Sequence, residues 1–464
     1  MPPLGLLYIA AHLRAIGSEP ILIDRNSFYF NELKNEVEEK KYELLDEWTL
    51  DIISKSEAAL CGFTMMTSQM HDVKRLSKKI RKQFTSTLKM VVGGYQSSLE
   101  PEATLSYLEN VDVAVCGRGE TSIGLLAKNA IPLESIPNIV YRIPQKWWHR
   151  LTPQKNNSLF GYGPRVRPQS EDKLYYEPAR DLLDINFYSH ESDSIISCYH
   201  IYRPFSLITS LGCIHNCSFC ASRILEKSHH HKEVDRVIAE IDTLVSTYSA
   251  SALLFYDINF FVHKRRTQAL LEAMASTFSG QKLRWLASAS ATELPPEQLN
   301  LARKAGCIGL VFGFESGSDK MLEKMNKTAR ISDNQKAIDL CNEFGIRPQS
   351  GFIVGYPGET ERDLTASFEF IEKNSLLSSL NLILPLPGTP INKQLVEQGR
   401  LKRDDPNYYG LISDHNRPLS EKIVFSDMPY ERFVELFNFG HSKICAPTWK
   451  TMFVDQPRSE NTGV

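Results

Sequence analysis

The sequence has few cysteines, no long apolar stretch and no strong net charge. Nine cysteines in 464 residues are too few and too scattered for a disulfide framework, which favours a reducing, cytoplasmic location. No apolar run reaches the ~18 residues of a membrane helix, and the N-terminus lacks a charged segment ahead of an apolar one, so we expect no membrane span. A formal net charge of −2 shows no bias towards nucleic acid, and we expect no nucleic-acid partner.

Three of the nine cysteines stand close together. Cys213, Cys217 and Cys220 lie in the run GCIHNCSFCASR, directly after the apolar stretch FSLITSLG. A four-iron four-sulfur cluster normally takes four cysteine thiolates, so three would leave one iron open for a ligand that is not protein. A structural zinc site is the alternative and needs a fourth ligand. For that ligand the sequence offers Cys198, His215, His229, His230 and His231.

From about residue 205 onward, strand patterns alternate with helix patterns. The predicted strands are SLITSLG, ALLFYDINFF, LRWLASAS, IGLVFGFES, SGFIVGYPGE and LNLILPLPGTP. Helices are predicted at 234–248, 265–277, 295–305, 333–344 and 362–373. Near-continuous apolar strands separated by amphipathic helices predict a parallel sheet covered by helices. Six such units fit a partial, open relative of the eight-unit β/α barrel.

In such barrels the chemistry lies where strands end and loops begin. Polar residues or glycines stand at these ends, namely the cysteine loop and then Asp257, Asn259, Ser288, Ser290, Glu315, Ser316, Gly355 and Gly358. The carboxylate of Glu315 could accept hydrogen bonds from a ribose or an ammonium group. Glycines allow close approach of a ligand to the backbone, although a plain turn role for Gly355 and Gly358 is an open alternative.

The spacing Cys-x-x-x-Cys-x-aromatic-Cys, with Phe219 in the aromatic place, resembles the signature of the radical S-adenosylmethionine (SAM) enzymes. The resemblance implies that the open iron binds SAM and that one electron splits it into methionine and a 5′-deoxyadenosyl radical. A one-electron reductant such as flavodoxin or ferredoxin is implied as a partner. FGFESGS and GFIVGYPGE match the stretches that hold SAM in that family. The resemblance of these stretches assigns Glu315, Ser316, Gly355 and Gly358 to SAM binding. Phe219 of the cysteine motif and Ser288 at its strand end complete the predicted cofactor-site residues.

Asp257 stands where many radical SAM enzymes have a Gly-Gly-Glu run, and the sequence here is YDINFF. An acidic residue at this strand end resembles the branch of the family that also carries a cobalamin-binding domain. The resemblance assigns Asp257 to cofactor or substrate contact, and a helix N-cap is its alternative role.

Residues 1–141 show a second alternation of helix and strand patterns. Strands are predicted at PILIDRN, AALCGFTMM, LKMVVGG, VDVAVCG and NIVYR. The pattern predicts a doubly wound parallel sheet, whose ligands bind beyond the carboxyl ends of the strands where the strand order reverses. Gly93, Gly94, Gly117 and Gly119 stand at those ends, and Glu120 or Thr121 could cap the helix that follows.

The segments PPLGLLYIAAHLR, GFTMMTSQ, VVGGYQSSLEPEATL and VDVAVCGRGET, in this order, resemble the cobalamin-binding domain of cobalamin-dependent radical SAM enzymes. Candidate corrinoid contacts implied by the resemblance are Thr64, Met65, Thr67, Ser68, Gln69, Gly93, Gly94, Gly119 and Glu120. Many corrinoid proteins have an Asp-x-His-x-x-Gly motif whose histidine is a lower axial ligand of cobalt. This motif is absent here, so cobalt would be bound without a histidine ligand.

Members of this branch open with an apolar strand before Pro-Pro, whereas here Met1 stands directly ahead of Pro2. A missing first strand would expose a sheet edge and remove one wall of the corrinoid site. We expect that the true start lies upstream of Met1, and a decayed domain is the alternative. The predicted order is a shortened cobalamin-binding-like domain (1–141), a linker (142–204), the barrel (205–390), a helical cap (391–450) and a disordered tail (451–464).

The resemblance implies a methyltransferase that uses SAM twice, once to methylate cobalt and once to make the radical that activates an unactivated carbon. We expect a small or medium-sized metabolite, peptide or lipid as substrate. Three alternatives stay open. They are a radical enzyme that rearranges, cyclises or oxidises without methyl transfer, a non-catalytic metal-binding protein, and a tRNA methylthiotransferase. The last is disfavoured because its additional N-terminal cysteine triad is not found.

Overall fold

The structure is a computed structural model that describes residues 2–84, 88–143, 159–166, 176–189, 201, 203–226, 228–405, 408–413, 419 and 423–445. Cys198, much of the predicted linker and the predicted tail lie outside these residues. Within them the chain forms an N-terminal sheet of five strands and a second sheet of six strands. None of the described helices has the length and apolar character that crossing a membrane requires.

The N-terminal sheet has its strands in chain order. They are β1 (Leu60–Thr64), β2 (Lys89–Gly93), β3 (Val113–Val115), β4 (Ile139–Arg142) and β5 (Phe160–Tyr162). The helices are α1 (Leu4–Ala15), α2 (Arg25–Asn31), α3 (Glu38–Ser56), α4 (Met70–Phe84), α5 (Tyr95–Leu99), α6 (Pro101–Tyr107) and α7 (Glu120–Lys128), followed by α8 (Ile185–Ser189). Val91 and Val113 pack on the α7 side, whereas Val92 and Ala114 pack on the α4 and α6 side. Helices therefore cover both faces of the sheet, which confirms the predicted α/β fold class.

The sheet is mixed and not wholly parallel as predicted. Strands β1 to β3 are parallel, but β4 and β5 run antiparallel to their neighbours. After α7 the chain returns to the carboxyl end of β3, where the Cys116 amide donates to the Asn138 carbonyl at 2.8 Å. Strand β4 thus starts beside the point at which β3 ends. The strands follow chain order, so the described sheet contains no reversal of strand order that could mark a ligand site.

The prediction of a strand at PILIDRN is wrong, because this segment forms no strand. Asp24 instead caps α2, its carboxylate accepting hydrogen bonds from the amides of Asn26 and Ser27 at 3.2 and 3.3 Å. Leu22 packs near α1, and Ile23 packs with apolar residues of α3 and α4. No described strand pairs with β1 on its free side, so the segment has strand-like side chains without a neighbouring backbone to pair with.

The second sheet has six parallel strands in chain order, as predicted. They are β6 (Pro204–Leu207), β9 (Ala252–Phe255), β10 (Arg284–Ala289), β11 (Cys307–Glu315), β12 (Arg347–Val354) and β13 (Leu377–Leu382). After β6, the short strands β7 (Ser210–Leu211) and β8 (His230–His231) form an antiparallel pair. Strands β6 and β13 do not pair with each other, so the barrel is open. All of β9 is buried, as its continuous apolar pattern predicts for a strand covered on both faces.

Helices cover this sheet and extend beyond it. They are α9 (Ser222–Leu225), α10 (Val234–Tyr248), α11 (Lys264–Thr277), α12 (Pro296–Lys304), α13 (Asp319–Lys324), α14 (Ile331–Glu343), α15 (Glu361–Lys373), α16 (Pro390–Glu397), α17 (Tyr408–Ser413) and α18 (Tyr430–Phe439). A π-helical turn, Gly440–Cys445, follows α18. Phe433 of α18 belongs to the barrel core, whereas Tyr409 of α17 packs against Tyr107 of α6, with ring centroids 5.4 Å apart. The C-terminal elements therefore contact both sheet regions.

A buried ionic network joins the two regions. Glu240 on α10 accepts hydrogen bonds from Lys232 at 2.6 Å and from Arg180 at 3.0 Å. Lys232 also donates to the hydroxyl of Tyr8 on α1 at 3.0 Å. All four side chains belong to residues that are at most 5% exposed. Because an unpaired buried charge is costly, this network fixes α1 and the Arg180 segment against the barrel.

Candidate functional site

The cysteine loop follows β7 beyond the carboxyl end of β6. Gly212 begins it with a φ of +86°, and an added Cβ would lie 2.3 Å from the Ser228 carbonyl oxygen, so only glycine fits. The loop carries Cys213, Cys217 and Cys220 and ends at α9. Arg223 of α9 donates to the Cys213 carbonyl at 3.2 Å, which closes the loop on itself.

Three separate elements hold the middle of the loop through Ser218. Its amide donates to the Met325 carbonyl at 2.9 Å, its hydroxyl lies 2.7 Å from the phenol oxygen of Tyr356, and its carbonyl accepts from the Ile391 amide at 3.0 Å. Phe219 packs against the apolar cluster that contains Tyr356 and Ile391. Phe219 thus anchors the loop by packing, and its direct contact with a cofactor stays a prediction.

Asp257, at the end of β9, is buried under the stem of the loop and is 1% exposed. Its carboxylate accepts hydrogen bonds from the amide and hydroxyl of Thr209 at 2.7 and 2.6 Å and from the Ser210 hydroxyl at 2.7 Å. Arg266 donates to the Thr209 hydroxyl at 2.9 Å. Asp257 therefore positions the chain that leads into the cysteine loop. Its predicted contact with cofactor or substrate stays a prediction.

His215 links the loop to the barrel. Its Nε2 lies 2.7 Å from a carboxylate oxygen of Glu293, and its Nδ1 lies 3.2 Å from the Thr328 hydroxyl. Burial would raise the pKa of Glu293, but hydrogen bonds from His215, Ser290 and Thr292 outweigh it and hold that pKa at about 2. Both ring nitrogens of His215 thus have protein partners, which favours a hydrogen-bonding role for His215 over the alternative of a zinc ligand.

The three thiols are electrostatic neighbours. Burial raises the pKa of Cys217 to about 11, opposed by Lys327 and reinforced by negative charge on Cys220, Glu315 and Cys213. Within the described part of the chain, no three His, Cys, Asp or Glu side chains converge to hold one metal ion, as a zinc site requires. A four-iron cluster has no such need, because each thiolate binds a different iron. The loop fits a cluster, and the cation of Lys327 would favour the thiolate forms.

Glu315 ends β11 in an unusual backbone conformation. Its φ is +66°, which is costly for a residue with a side chain, and the pairing register with β12 shifts between Gly313 and Glu315. A Cβ on Gly313 would lie 2.2 Å from the Glu315 carboxylate, so that glycine makes room for it. Burial raises the pKa of Glu315, while Lys327, 3.7 Å away, opposes the shift. Strain of this kind is typical of functional positions.

Ser288 and Ser316 are held by protein contacts. The Ser288 carbonyl accepts from the Phe260 amide at 2.9 Å, and the residue is half-buried. Ser316 is 2% exposed, and its hydroxyl accepts from the Ser318 amide at 3.1 Å. Ser316 therefore shapes the turn after β11, and contact of either side chain with a nucleotide stays a prediction.

Gly355 and Gly358 form the turn after β12. Their φ values are +75° and +83°, and added Cβ atoms would meet the side chains of Leu382 and Lys324 at 2.6 and 1.9 Å. Their amides already donate to the carboxylates of Glu359 and Asp427, at 2.7 and 3.1 Å respectively. The turn alternative thus accounts for both glycines, and their contact with SAM stays a prediction.

The predicted corrinoid residues after β1 divide into two groups. Thr64, Ser68 and Gln69 are exposed at the carboxyl end of the strand. Met65 is 1% exposed, and Thr67 donates its hydroxyl to the Gln96 side chain at 2.8 Å, so these two support the loop from inside. The exposed group is the one that an incoming ligand can reach.

Two glycines at the carboxyl end of β2 stand close in sequence to a buried polar side chain, and only the first of them has open space beside it. No atom lies within 4 Å of a Cβ placed on Gly93, whereas a Cβ on Gly94 would lie 2.5 Å from the Met65 carbonyl oxygen. The Nε2 atom of Gln96 is buried and has no hydrogen-bond partner among the described residues. We call Gly93, Gly94 and Gln96 the corrinoid cradle. Because buried polar atoms normally have a partner, the cradle fits a ligand that carries a hydrogen-bond acceptor.

Gly119 and Glu120 lie at the start of α7. Gly119 occupies the N-cap position, and Glu120 pairs with Arg118 at 2.8 Å and makes no side-chain cap. A Cβ on Gly119 would touch Ile9 of α1 at 3.5 Å. These residues stand at the carboxyl end of β3, and their contact with a corrinoid stays a prediction.

The two candidate sites adjoin each other. Helix α5, which follows Gly93 and Gly94, packs against α9, which follows Cys220. Helix α17 contacts the short helical turn Thr67–Gln69 in the exposed loop after β1. The carboxyl ends of both sheets therefore meet around one junction.

Sequence reasoning missed several residues at this junction. Tyr356 and Glu293 contact the cysteine loop from the segments after β12 and β10, and the positive charge of Lys327, which follows α13, lowers the pKa values of Cys213 and Cys217. Burial raises the pKa of Tyr95 on α5, and negative charge on Cys220 raises it further. Tyr95 directly follows the flagged pair Gly93 and Gly94, which is the only local signal for it.

Two family models match the chain. The radical SAM superfamily model matches residues 207–371, and the B12-binding domain model matches residues 1–127. The uncharacterized methyltransferase PH0819 of Pyrococcus horikoshii is 26% identical, over 84% of this chain and 77% of its own length. Hopanoid C-2 methylase of Rhodopseudomonas palustris is 24% identical, over 87% and 66%. Anaerobic magnesium-protoporphyrin IX monomethyl ester cyclase of Rubrivivax gelatinosus is 22% identical, over 85% and 66%.

Two solved structures share the fold. The radical SAM methyltransferase TsrM of Kitasatospora setae superposes with a TM-score of 0.70 at 18% identity, covering 88% of this chain and 75% of its own. The cobalamin-dependent radical SAM enzyme OxsB superposes with a TM-score of 0.62 at 15% identity, covering 94% and 58%. The arrangement of an N-terminal sheet followed by an open barrel is thus found in known structures.

Proposed function

Because the chain belongs to the cobalamin-dependent radical SAM enzymes, we propose that it methylates an unactivated carbon of a small or medium-sized substrate. When bound, the cluster provides the electron that splits SAM and the corrinoid carries the methyl group. The observation that carries the proposal is the contact of α5 with α9, which brings the corrinoid cradle and the cysteine loop to one junction. A common junction is what a reaction that needs both cofactors requires, since it allows water to be excluded from the space between them.

The cysteine loop is the proposed cluster site. Cys213, Cys217 and Cys220 would each bind one iron, and Lys327 would offset part of the negative charge of the thiolates. Asp257 would support the site indirectly. Its carboxylate fixes Thr209 and so positions the chain where it enters the cysteine loop.

Glu315 is the proposed nucleotide contact. Its carboxylate is aimed by a positive φ and sits beside Lys327, so it could accept hydrogen bonds from an ammonium or hydroxyl group of SAM. Ser316, Gly355 and Gly358 would shape the turns after β11 and β12, and Ser288 would line the end of β10, on the other side of β11.

Residues 1–141 are the proposed corrinoid-binding domain, and 205–390 the proposed radical domain. Thr64, Ser68 and Gln69 would face the corrinoid, and Gly93 would allow it to approach the backbone. Gly94, Gly119 and Glu120 would shape the carboxyl ends of β2 and β3. The eight described cysteines that carry free thiols fit the cytoplasmic location that we propose, together with flavodoxin or ferredoxin as reductant.

A radical cyclisation without methyl transfer is the second candidate. The match to a magnesium-protoporphyrin monomethyl ester cyclase over 85% of this chain favours it, because that relative spans the same two regions. The fold does not separate the two reactions, but their products do.

The test is anaerobic reconstitution with iron, sulfide and hydroxocobalamin, followed by incubation with SAM and a reductant. We expect about four irons per chain, 5′-deoxyadenosine, and one equivalent of S-adenosylhomocysteine per bound cobalt as the corrinoid is methylated. Deoxyadenosine without S-adenosylhomocysteine would favour the cyclase, and absence of both products would contradict either function. Cys217→Ala should abolish iron binding and 5′-deoxyadenosine, whereas Cys61→Ala, at a thiol whose pKa burial raises to about 11, should leave both unchanged.

A further inference from the structure

A second cavity lies at the end of the barrel sheet opposite to the cysteine loop. It has a volume of about 530 Å³ and is formed where β10, β11 and β12 begin, beside the last turns of α11 and α12. Strand β11 has nine residues, so at ~3.3 Å per residue its two ends are about 26 Å apart. Because the chemistry of β/α barrels occurs at the carboxyl ends of the strands, this cavity is separate from the candidate site.

The described residues that line the cavity include five cationic side chains and no carboxylate. The cations are Lys282, Arg284, Arg303, Lys304 and Arg347, which come from three separate segments of the chain. We call it the basic cavity. The whole chain has a formal net charge of −2, so this excess of positive charge is local. Cations gathered in one concave surface repel one another and attract anions.

Helix ends explain only part of this charge. Arg303 and Lys304 lie in the last turn of α12, where cations complement the partial negative charge of the helix dipole. Lys282 and Arg284 lie at the start of β10, and Arg347 begins β12. The helix dipole gives no reason for a cation at these three positions, whereas a bound anion accounts for all five.

Hydrogen bonds hold the backbone around the basic cavity. The Trp285 amide donates to the Gly306 carbonyl at 3.0 Å, and the Trp285 indole nitrogen donates to the Ala305 carbonyl at 2.8 Å. Gly306 has a φ of +99°, and an added Cβ would lie 2.1 Å from the Leu283 carbonyl oxygen. These contacts join the segments before β10 and β11, which carry four of the five cations. The cations are therefore placed together by the fold before any ligand binds.

The size and the walls of the basic cavity favour a small ligand. Its volume lies within the ~300–1,000 Å³ of small-molecule pockets. Met274 and Phe278 of the barrel core form part of its wall, so an apolar group can lie beside the cations. A single phosphate group carries about −1.5 to −2 charges at pH 7, so a di- or triphosphate matches five cations more closely.

We propose that the basic cavity binds the di- or triphosphate group of a small ligand such as a nucleotide. Each arginine can offer parallel N–H donors to phosphate oxygens, and each lysine adds a compact positive charge. A ligand that binds only the folded barrel stabilises it by mass action, without a part in the reaction. The inference goes beyond the proposed function and does not depend on it, because the cluster and the corrinoid would bind at the opposite end of the sheet.

The test is isothermal titration calorimetry of the full-length protein with sodium tripolyphosphate and with ATP at low salt. The wild type should bind both probes. The double variant Lys282→Gln and Lys304→Gln should bind at least about tenfold more weakly, because it lacks two of the five positive charges. The matched control is Lys264→Gln with Arg265→Gln, which removes the same charge from exposed residues at the other end of α11 and should bind as the wild type does. Both double variants should unfold as the wild type does, since all four side chains belong to exposed residues.

A loss in the cavity variant that is absent from the control supports the proposal. Tighter binding of ATP than of tripolyphosphate would identify a nucleotide, because its base can use the apolar wall, whereas equal affinities would identify a free polyphosphate. No binding of either probe by the wild type, or equal losses in both double variants, would overturn the proposal. Binding of a single-stranded RNA oligonucleotide that depends on Lys282 and Lys304, with neither small probe bound, would also overturn it. None of these outcomes affects the proposed function, which iron content and reaction products test.

Discussion

The two sheets meet at one junction but hold their candidate sites in different ways. In the barrel, Asp257, Tyr356 and Glu293 reach the cysteine loop from three other strand ends and bond to it. In the N-terminal region the loop after β1 leaves Thr64, Ser68 and Gln69 exposed, with open space beside Gly93. The comparison indicates that the proposed cluster site is preorganised by polar bonds within the protein, whereas the residues proposed to contact a corrinoid lie on an exposed surface.

The comparison would fail if the two regions were not held together, and the buried network at Glu240 tests this. Glu240→Ala should lower the free energy of unfolding by about 3–5 kcal/mol, because Lys232 and Arg180 would be left charged and buried without their partner. Urea unfolding of the apoprotein, followed by circular dichroism and tryptophan fluorescence, measures the loss.

The control for Glu240 is an ion pair between α1 and the segment that carries Arg180. Arg14 and Asp181 form an exposed ion pair there, with side chains 41% and 57% exposed, and Asp181→Ala should cause no measurable change. A loss of less than about 1 kcal/mol for Glu240→Ala would mean that the buried pair does not hold the junction together.

Local patterns account for most of the barrel but for only part of the junction. Each barrel strand is an apolar run followed by a helix of period 3.6, and parallel β/α units pack in chain order, so the sheet followed from the sequence. The segment at 20–26 has the same apolar character but no strand to pair with, and Asp24 turns it into a helix cap. Pairing is a non-local property that a period-2 pattern does not contain.

The candidate site likewise contains residues that local signals mark and residues that only the fold brings together. The three cysteines and the glycines that need positive φ are marked by spacing and residue type, which are local signals. Lys327, Tyr356 and Tyr95 matter because the fold brings them to the loop from more than 100 residues away in sequence. Nothing in the segment around Lys327 marks it, and the only local signals for Tyr356 and Tyr95 are the predicted site glycines beside them. The interior bonds of Asp257 were likewise hidden, because they depend on the register of β6 against β9.

On the barrel side, the buried carboxyl group of Glu359 makes the free energy of unfolding depend on pH. This carboxyl group is 1% exposed, and burial raises its pKa from 4.5 to about 8. The folded state therefore holds the proton more tightly than the unfolded state, so the contribution is fully present below pH 4.5 and is lost as pH rises to about 8. The loss is about 1.4 kcal/mol per pH unit near pH 6 and falls off towards pH 8, which gives roughly 2 kcal/mol between pH 6 and pH 8.

Glu359→Gln should remove this part of the pH dependence, because the amide cannot ionise and can still accept the hydrogen bond from the Gly355 amide. Unfolding curves of wild type and variant at pH 6, 7 and 8 check it, with the variant gaining on the wild type as pH rises. Parallel curves for the two proteins across this range would mean that Glu359 is not protonated in the fold.

On the N-terminal side, the neighbouring glycines at the end of β2 test whether the open space there belongs to the corrinoid site. The expected change in stability is the smallest of those predicted. Gly94→Ala should lower the free energy of unfolding by about 1–3 kcal/mol, because the residue has a φ of +97° and a ψ of −164°, a region essentially restricted to glycine. Gly93→Ala adds the same methyl group where no atom lies within 4 Å, so its stability should match the wild type. If the space beside Gly93 belongs to the ligand, however, that methyl group should weaken hydroxocobalamin binding at least tenfold in equilibrium dialysis. A Gly93→Ala protein that binds the corrinoid as tightly as the wild type would place the ligand elsewhere, and the open surface after β2 would then have no part in the corrinoid site.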